Sequence, residues 1–279
     1  MPAVSVKRTL IRETPCASLS RFEHPPEATQ LDSDEEPARS FQIGFVEHGW
    51  FQLCARRQRW LLGAGRAFIS RPGECYTYKH PPKLVPDTCI ALTFRLTKAN
   101  AEELARAFRR IPLVLSPSNR LAFLAWRIRG VESGDDSLRL ETLAYELLAA
   151  AAAQNGAMHL YRPNQLGWYA KRICAARELL DTEFAVQHSL ESIAANVAMS
   201  PFLFARIFRE LTGTPPHQYL VGVRLQRACL MIEQGASVTD TCYGVGFNNL
   251  SHFIRSFRAR FGCTPSAIKR RARRAQSAA

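Results

Sequence analysis

Two arginines, Arg206 and Arg255, stand 49 residues apart inside segments that repeat one another. SPFLFARIFR, beginning at Ser200, lies over NLSHFIRSFR, beginning at Asn249, and Gly213 and Pro216 lie over Gly262 and Pro265. An arginine presents a planar fork of N–H donors. Its bidentate match to the O6/N7 edge of guanine is the commonest base-specific contact to a duplex, worth roughly 1–3 kcal/mol. One exposed arginine usually only keeps a helical surface in solution. Two at the same place in a repeat argue for a shared task.

The spacing says what must hold them. Ser200 suits a helix N-cap and Pro201 the first helical position, where the missing N–H leaves no donor unsatisfied. Phe204, Ile207, Phe208 and Leu211 then follow i, i+3, i+4, i+7 and form the buried stripe, leaving Phe202, Ala205, Arg206 and Arg209 outward. Upstream, Ser189 can cap a shorter helix with Leu190, Ile193, Ala194 and Val197 as its apolar stripe, and Ala198-Met199 is a tight turn. Short helix, turn and second helix with a basic face is the helix-turn-helix plan. The second copy has a supporting helix over residues 238–245 and a turn at Gly246-Phe247-Asn248. Asn249 then caps a helix that buries Phe253, Phe257 and Phe261 and shows Ser251, Ile254, Arg255 and Arg258 outward. PHQYLVGVRLQRACLMIE, between the copies, reads as one connecting helix. Two such heads on one arm would reach major-groove faces about 34 Å apart.

The run R-x-x-x-G-x-x-P after the first helix and GFNNLSHFxRxFRxxxGxTP in the second resemble the AraC/XylS family of transcription regulators, over about residues 168–270. The resemblance implies two helix-turn-helix units joined by a linker helix, with base contacts from the first turns of both second helices. Carried onto this chain, those contacts fall to Phe202, Ala205 and Arg206 and to Leu250, Ser251, Ile254 and Arg255. Arg209, Arg258 and Arg260 are expected on phosphates. The chain departs from the family pattern at Thr241, where an aliphatic residue is usual, and at Ala205, where a longer polar side chain often reads bases.

A second group of reactive side chains lies earlier. Cys75, His80 and Cys89, with Cys54 and His48 upstream, offer thiolates and imidazoles to a thiophilic metal or an oxidant. Their spacings match no standard metal motif, so the favoured reading is apolar filler for the cysteines and a turn position for His80 before Pro81-Pro82. A catalytic cupin needs clustered His and carboxylate ligands, often as H-x-H, and only His48 and His80 fall in this region. Neither catalysis nor a cofactor is therefore expected, and no metal site is assigned.

Apolar stretches between Gly and Pro punctuation over residues 41–94 read as a small β-barrel, and GRAFISRPGE resembles the glycine-punctuated turn of the cupin-like sensor domain common in the family. That resemblance implies binding of a small effector and a part in dimerisation. Trp50, Phe51, Trp60, Phe68, Tyr76 and Tyr78 suit either an effector cavity or a core. Helical periods follow over residues 101–110, 119–131 and 137–154, able to pair with a second copy or to pack on their own sheet.

The expected fold is thus an N-terminal α+β cupin-like β-barrel with a helical extension and a C-terminal all-α domain with two helix-turn-helix units. Residues 1–39 read as a tail or loosely packed first strand, 40–154 as the sensor and dimerisation domain, 155–167 as a linker and 168–274 as the DNA-binding domain. Net charge is +13, and residues 168–279 hold 15 Lys/Arg against 7 Asp/Glu, which suits a polyanion. The longest apolar run, residues 147–153, is far below the roughly 20 residues of a membrane span. The N-terminus has scattered charges and no apolar core, so a cytoplasmic protein is expected, its eight dispersed cysteines reduced. Expected partners are double-stranded DNA, RNA polymerase, a small-molecule effector and a second copy of the chain, with no membrane. Activation is the commoner role in the family.

Overall fold

The computed structural model describes residues 6–24, 36–79, 86–97, 100–133, 137–153 and 160–276. It divides into two compact units, Met1–Leu166 and Gly167–Ala279.

The first unit opens with strands β1 (Lys7–Glu13), β2 (Ala17–His24), β3 (Glu36–Pro37), β4 (Phe41–His48) and β5 (Trp50–Ala55). β6 (Gln58–Gly63), β7 (Ala67–Ser70), β8 (Cys75–Lys79) and β9 (Asp87–Phe94) follow, and a short β10 (Val114–Leu115) comes after the first helix. They form a six-stranded sheet in the order β1-β2-β9-β4-β7-β10 and a four-stranded sheet in the order β3-β8-β5-β6. Period-two patterning decides which way side chains point: in β5, Phe51, Leu53 and Ala55 are buried while Gln52 and Cys54 are less so.

Strands β4 and β9 are buried almost continuously because the helices α1 (Ala101–Arg110), α2 (Asn119–Arg129) and α3 (Ser137–Ala152) join the same core. Phe108 of α1 lies 4.7 Å from Phe41 and 5.4 Å from Phe94, ring centre to ring centre. These helices therefore pack on the sheet of their own chain. Arg71, after β7, pins α1 from the other side. Its Nε donates to the Phe108 carbonyl at 2.8 Å, its guanidinium also reaches the Ile111 carbonyl, and Glu74 pairs with it at 3.1 Å.

Within residues 1–39, read as a tail or loosely packed first strand, the exposed β1 fits that reading and β2 does not. β2 pairs with β9 along its whole length, and Ala17 and Leu19 are wholly buried. The signal was hidden because Ser18 and Ser20 are buried there too, so ASLSRFEH shows no apolar alternation; Ser20 accepts from Arg8 at 3.3 Å. His80 lies outside the described residues.

The aromatics of the barrel region divide. Phe51 and Tyr76 are buried, and Phe51 meets Phe68 edge-on at 5.6 Å and Tyr78 at 5.8 Å. Trp50 is 46% exposed. Phe68 packs so closely over Gly44 that a Cβ there would stand 2.6 Å from its ring.

The second unit is helical: α4 (Pro163–Thr182), α5 (Leu190–Asn196), α6 (Pro201–Thr212), α7 (Pro216–Glu233), α8 (Val238–Gly244), α9 (Leu250–Phe261) and α10 (Pro265–Gln276). α4 begins inside the stretch read as linker, since Pro163 supplies the preset φ that a first helical turn takes. Residues 155–159 of that stretch lie outside the described residues. No described helix is long and apolar enough to cross a membrane.

Candidate nucleic-acid interface

Each repeat folds as a supporting helix, a turn and a second helix, fixed by local chemistry. At α5, the Ser189 hydroxyl accepts from the Ser192 N–H at 3.0 Å while the Ser192 hydroxyl accepts from the Ser189 N–H at 3.1 Å, a reciprocal capping box. Val197 and Met199 are buried on either side of Ala198, which takes a left-handed φ of 51° in the turn. α6 starts on Pro201 after Ser200, whose side chain makes no capping bond. At the second copy, Ser237 accepts from Asp240 N–H at 3.0 Å to open α8, and Asn249 Oδ1 accepts from His252 N–H at 2.8 Å to open α9.

The two second helices correspond closely. Phe204, Ile207, Phe208 and Leu211 of α6 are wholly buried, as are Phe253 and Phe257 of α9. Phe204 meets Phe208 at 5.4 Å and Phe253 meets Phe257 at 5.6 Å, the same i, i+4 pair in both copies. Each helix ends on a glycine with positive φ, 84° at Gly213 and 69° at Gly262, which donates its N–H to the fourth carbonyl back.

Opposite those stripes lie the residues singled out from sequence. Phe202 is 80% exposed, Arg206 and Arg209 are exposed, and Ala205 is half-buried. On α9, Ser251, Arg255 and Arg258 are exposed and line one shallow concavity with Ile254, Ala259 and Thr264. Leu250 and Ile254 are less outward than the periodicity implied, because both also pack against the core around Phe253 and Phe257. Leu190 likewise sits at the rim of its helix, 36% exposed.

Comparison with known proteins agrees over most of the chain. The helix-turn-helix domain family matches residues 193–271 and the AraC-like ligand binding domain family matches residues 27–148. The HTH-type transcriptional activator RhaS of Escherichia coli O81 (strain ED1a) is 30% identical over 256 residues, covering 88% of this chain and 90% of that protein. The chain belongs to the AraC/XylS family of transcription regulators. It is thus a DNA-binding regulator with an effector-responsive N-terminal domain. Another relative in this family, the RCS-specific HTH-type transcriptional activator RclR of Escherichia coli (strain K12), is 36% identical over 86 residues, 30% of each chain. Among solved structures, a probable AraC family transcriptional regulator from Rhodopseudomonas palustris CGA009 is 28% identical with a TM-score of 0.35, covering 37% of this chain and 97% of that one.

Within this AraC-family chain the described members of the thiol and imidazole group lie on different strands. Cys75 is on β8 of the four-stranded sheet and Cys89 on β9 of the six-stranded one, and His80 lies outside the described residues. Burial pushes the Cys89 thiol well above its ordinary range, with Asp87 and Glu47 adding to the shift, which favours the protonated form over a thiolate ligand. Among the described residues no three His, Cys, Asp or Glu are grouped to hold an ion.

Sequence reasoning passed over Phe184, Gln187 and Arg224. Arg224 sits in the middle of the connecting helix yet is only 8% exposed, and its guanidinium bonds to carbonyls 38 and 40 residues upstream. An arginine on an otherwise apolar helix face was the available signal.

Proposed function

We propose that this chain is a cytoplasmic transcription activator that reads a specific duplex sequence with α6 and α9 and acts by binding rather than catalysis. What carries the reading is the equivalence of Arg206 and Arg255, each outward from a helix whose opposite face is locked into a core. Arg206 and Arg255 take guanine edges, with Phe202 and Ala205 beside the first and Leu250, Ser251 and Ile254 beside the second. Arg209 and Arg258 bind phosphates and set the register. Because the neighbours differ, the two heads read different bases.

The N-terminal domain takes a small effector, RNA polymerase is the partner at the promoter, and residues 98–154 contribute a homodimer contact. Tyr145 of α3, 56% exposed, supports that last assignment. Equilibrium sedimentation is expected to show dimer at micromolar concentration; monomer alone would remove it.

Binding-site selection from random duplexes tests the main reading, using the full chain, Arg206→Ala and Arg255→Ala. Each variant is expected to lose preference at a different position. Unchanged preference in both variants would refute the assignment. An architectural protein would bind random duplex nearly as well, whereas a specific regulator prefers its operator by at least about a thousandfold.

A further inference from the structure

The peptide over residues 183–188 leads from α4 into the first helix-turn-helix unit, and its long-range bonds reach α7 and the turn of the second unit. The Phe184 ring packs against the core that holds Leu225, Val245, Phe247 and Phe253, with the Arg227 guanidinium 5.5 Å from its centre. Arg224 of α7 donates from Nε to the Phe184 carbonyl at 2.7 Å and from a terminal nitrogen to the Val186 carbonyl at 2.9 Å. The carbonyl between them, that of Ala185, faces Gly246 in the turn of the second unit. A Cβ at Gly246 would stand 2.6 Å from that oxygen and 3.0 Å from the Arg224 guanidinium, and its φ of +89° already favours glycine. Gln187 Nε2 then donates to the Gly246 carbonyl at 2.9 Å and to Asn248 Oδ1 at 3.2 Å.

The ends of this strap matter. Two residues after Gln187, Ser189 caps α5, the supporting helix of the first unit; one residue after Asn248, Asn249 caps α9, the second helix of the second unit. One short peptide thus connects the start of one unit to the turn of the other, across α7. The covalent link between the units is α7, whose exit through residues 234–237 contains Gly235, and torsion there would let one head move against the other without the strap. DNA is an unforgiving ruler: each added base pair moves the next site by about 3.4 Å and turns it by about a tenth of a revolution.

We infer that Arg224, Gln187 and Gly246 form a brace that fixes the separation of α6 and α9, and so sets the spacing between base elements that the protein accepts. They are positioning residues, acting through the caps of α5 and α9, and the inference rests on the base-reading role proposed for those helices.

The test is fluorescence anisotropy on duplexes carrying both selected elements, with the gap at its selected length and changed by one or two base pairs. In the full-length wild type, a changed gap is expected to weaken binding about tenfold or more, the loss of one good arginine contact. In Gln187→Ala and Gly246→Ala that penalty is expected to shrink below about threefold, with the bases preferred in each element unchanged, and Arg224→Lys falls between. A spacing profile identical to wild type in Gln187→Ala and Arg224→Lys overturns the inference. Gln187→Ala carries the test if Gly246→Ala fails to fold, since it removes two hydrogen bonds and introduces no clash. Hydrogen exchange on the same proteins separates the two readings. Wild type without base preference defeats the base-reading role alone; the brace then stands if Gln187→Ala speeds exchange at residues 190–194 and 250–254 together, and falls if it does not.

Discussion

Arg206 and Arg255 are each the sixth residue of a twelve-residue helix that closes on a left-handed glycine. Equal depth in equal helices means that the two guanidinium groups stand at the same height above their own turns, so the proposed base reading predicts that any difference between the two heads comes from their neighbours. Phe202 and Ala205 flank the first, Ser251 and Ile254 the second. The next arginine on each helix, Arg209 or Arg258, lies one turn toward the C-terminus, where the helix is expected to leave the groove and pass a phosphate.

That division predicts a salt signature. Arg209→Ala, Arg258→Ala and Arg260→Ala are each expected to reduce the slope of log K against log salt by about 0.9, leaving base preference as in wild type. Arg206→Ala and Arg255→Ala should instead relax one position of the site each. Titrations in increasing KCl on selected and scrambled duplexes distinguish the groups, and a change of base preference in Arg209→Ala would reassign that residue.

The repeat was legible because its core is built from large residues at helical spacing: Phe204 and Phe208, and Phe253 and Phe257, occupy fixed sites that tolerate little variation. The second copy's outward face was less legible. Leu250 and Ile254 serve the core and the surface together, and periodicity assigns a residue to one face only. Strand β2 was misread because a strand paired on both sides can bury serines, which carry no apolar signal. The brace was legible only in part. An arginine on the apolar face of α7 marks Arg224, but its partners are carbonyls, which every residue supplies, so no side-chain pattern records which ones it uses.

Thr241, where the family usually has an aliphatic residue, is wholly buried, and its hydroxyl has no hydrogen-bond partner among the described residues. A buried hydroxyl without a partner keeps its desolvation cost uncompensated. Thr241→Val is therefore expected to raise stability by about 1 kcal/mol. Urea unfolding reads this directly, and a loss of stability would mean that the hydroxyl has a partner, such as bound water.

In the first unit Arg71 bonds to the Phe108 carbonyl in the last turn of α1, which the Ile111 N–H also reaches at 3.3 Å, and to the carbonyl of Ile111 just beyond the helix. Its side chain is 11% exposed, and Tyr76 also donates to Glu74 at 2.9 Å, so several polar groups depend on one guanidinium. Arg71→Met is expected to cost about 2 kcal/mol, chiefly through the Ile111 carbonyl that loses its donor and a Glu74 carboxylate left with Arg56 and Tyr76 alone. Thermal unfolding should show the loss in the N-terminal unit while binding to the selected duplex by the C-terminal unit persists. A change below about 0.5 kcal/mol would place Arg71 among ordinary surface arginines.

Alkaline titration offers a check on how α4 and α7 are joined. Tyr219 donates its hydroxyl proton to Asp181 at 2.9 Å and accepts from Arg177 at 3.1 Å. Burial pushes its pKa up to about 12 against the lowering pull of Arg177. Below pH 10 the phenol is protonated in both the folded and unfolded chain. Between pH 10 and 12 only the unfolded chain releases the proton, so this contribution to stability is full below pH 10 and is lost as pH rises, by at most about 1.4 kcal/mol per pH unit. Tyr219→Phe should cost about 1 kcal/mol at neutral pH through the lost hydrogen bonds, yet show a shallower fall in stability between pH 10 and 12. Unfolding curves across that range for both proteins decide the matter. Parallel slopes would mean that Tyr219 titrates alike in the two states, and that the Asp181 and Arg177 contacts do not hold its proton.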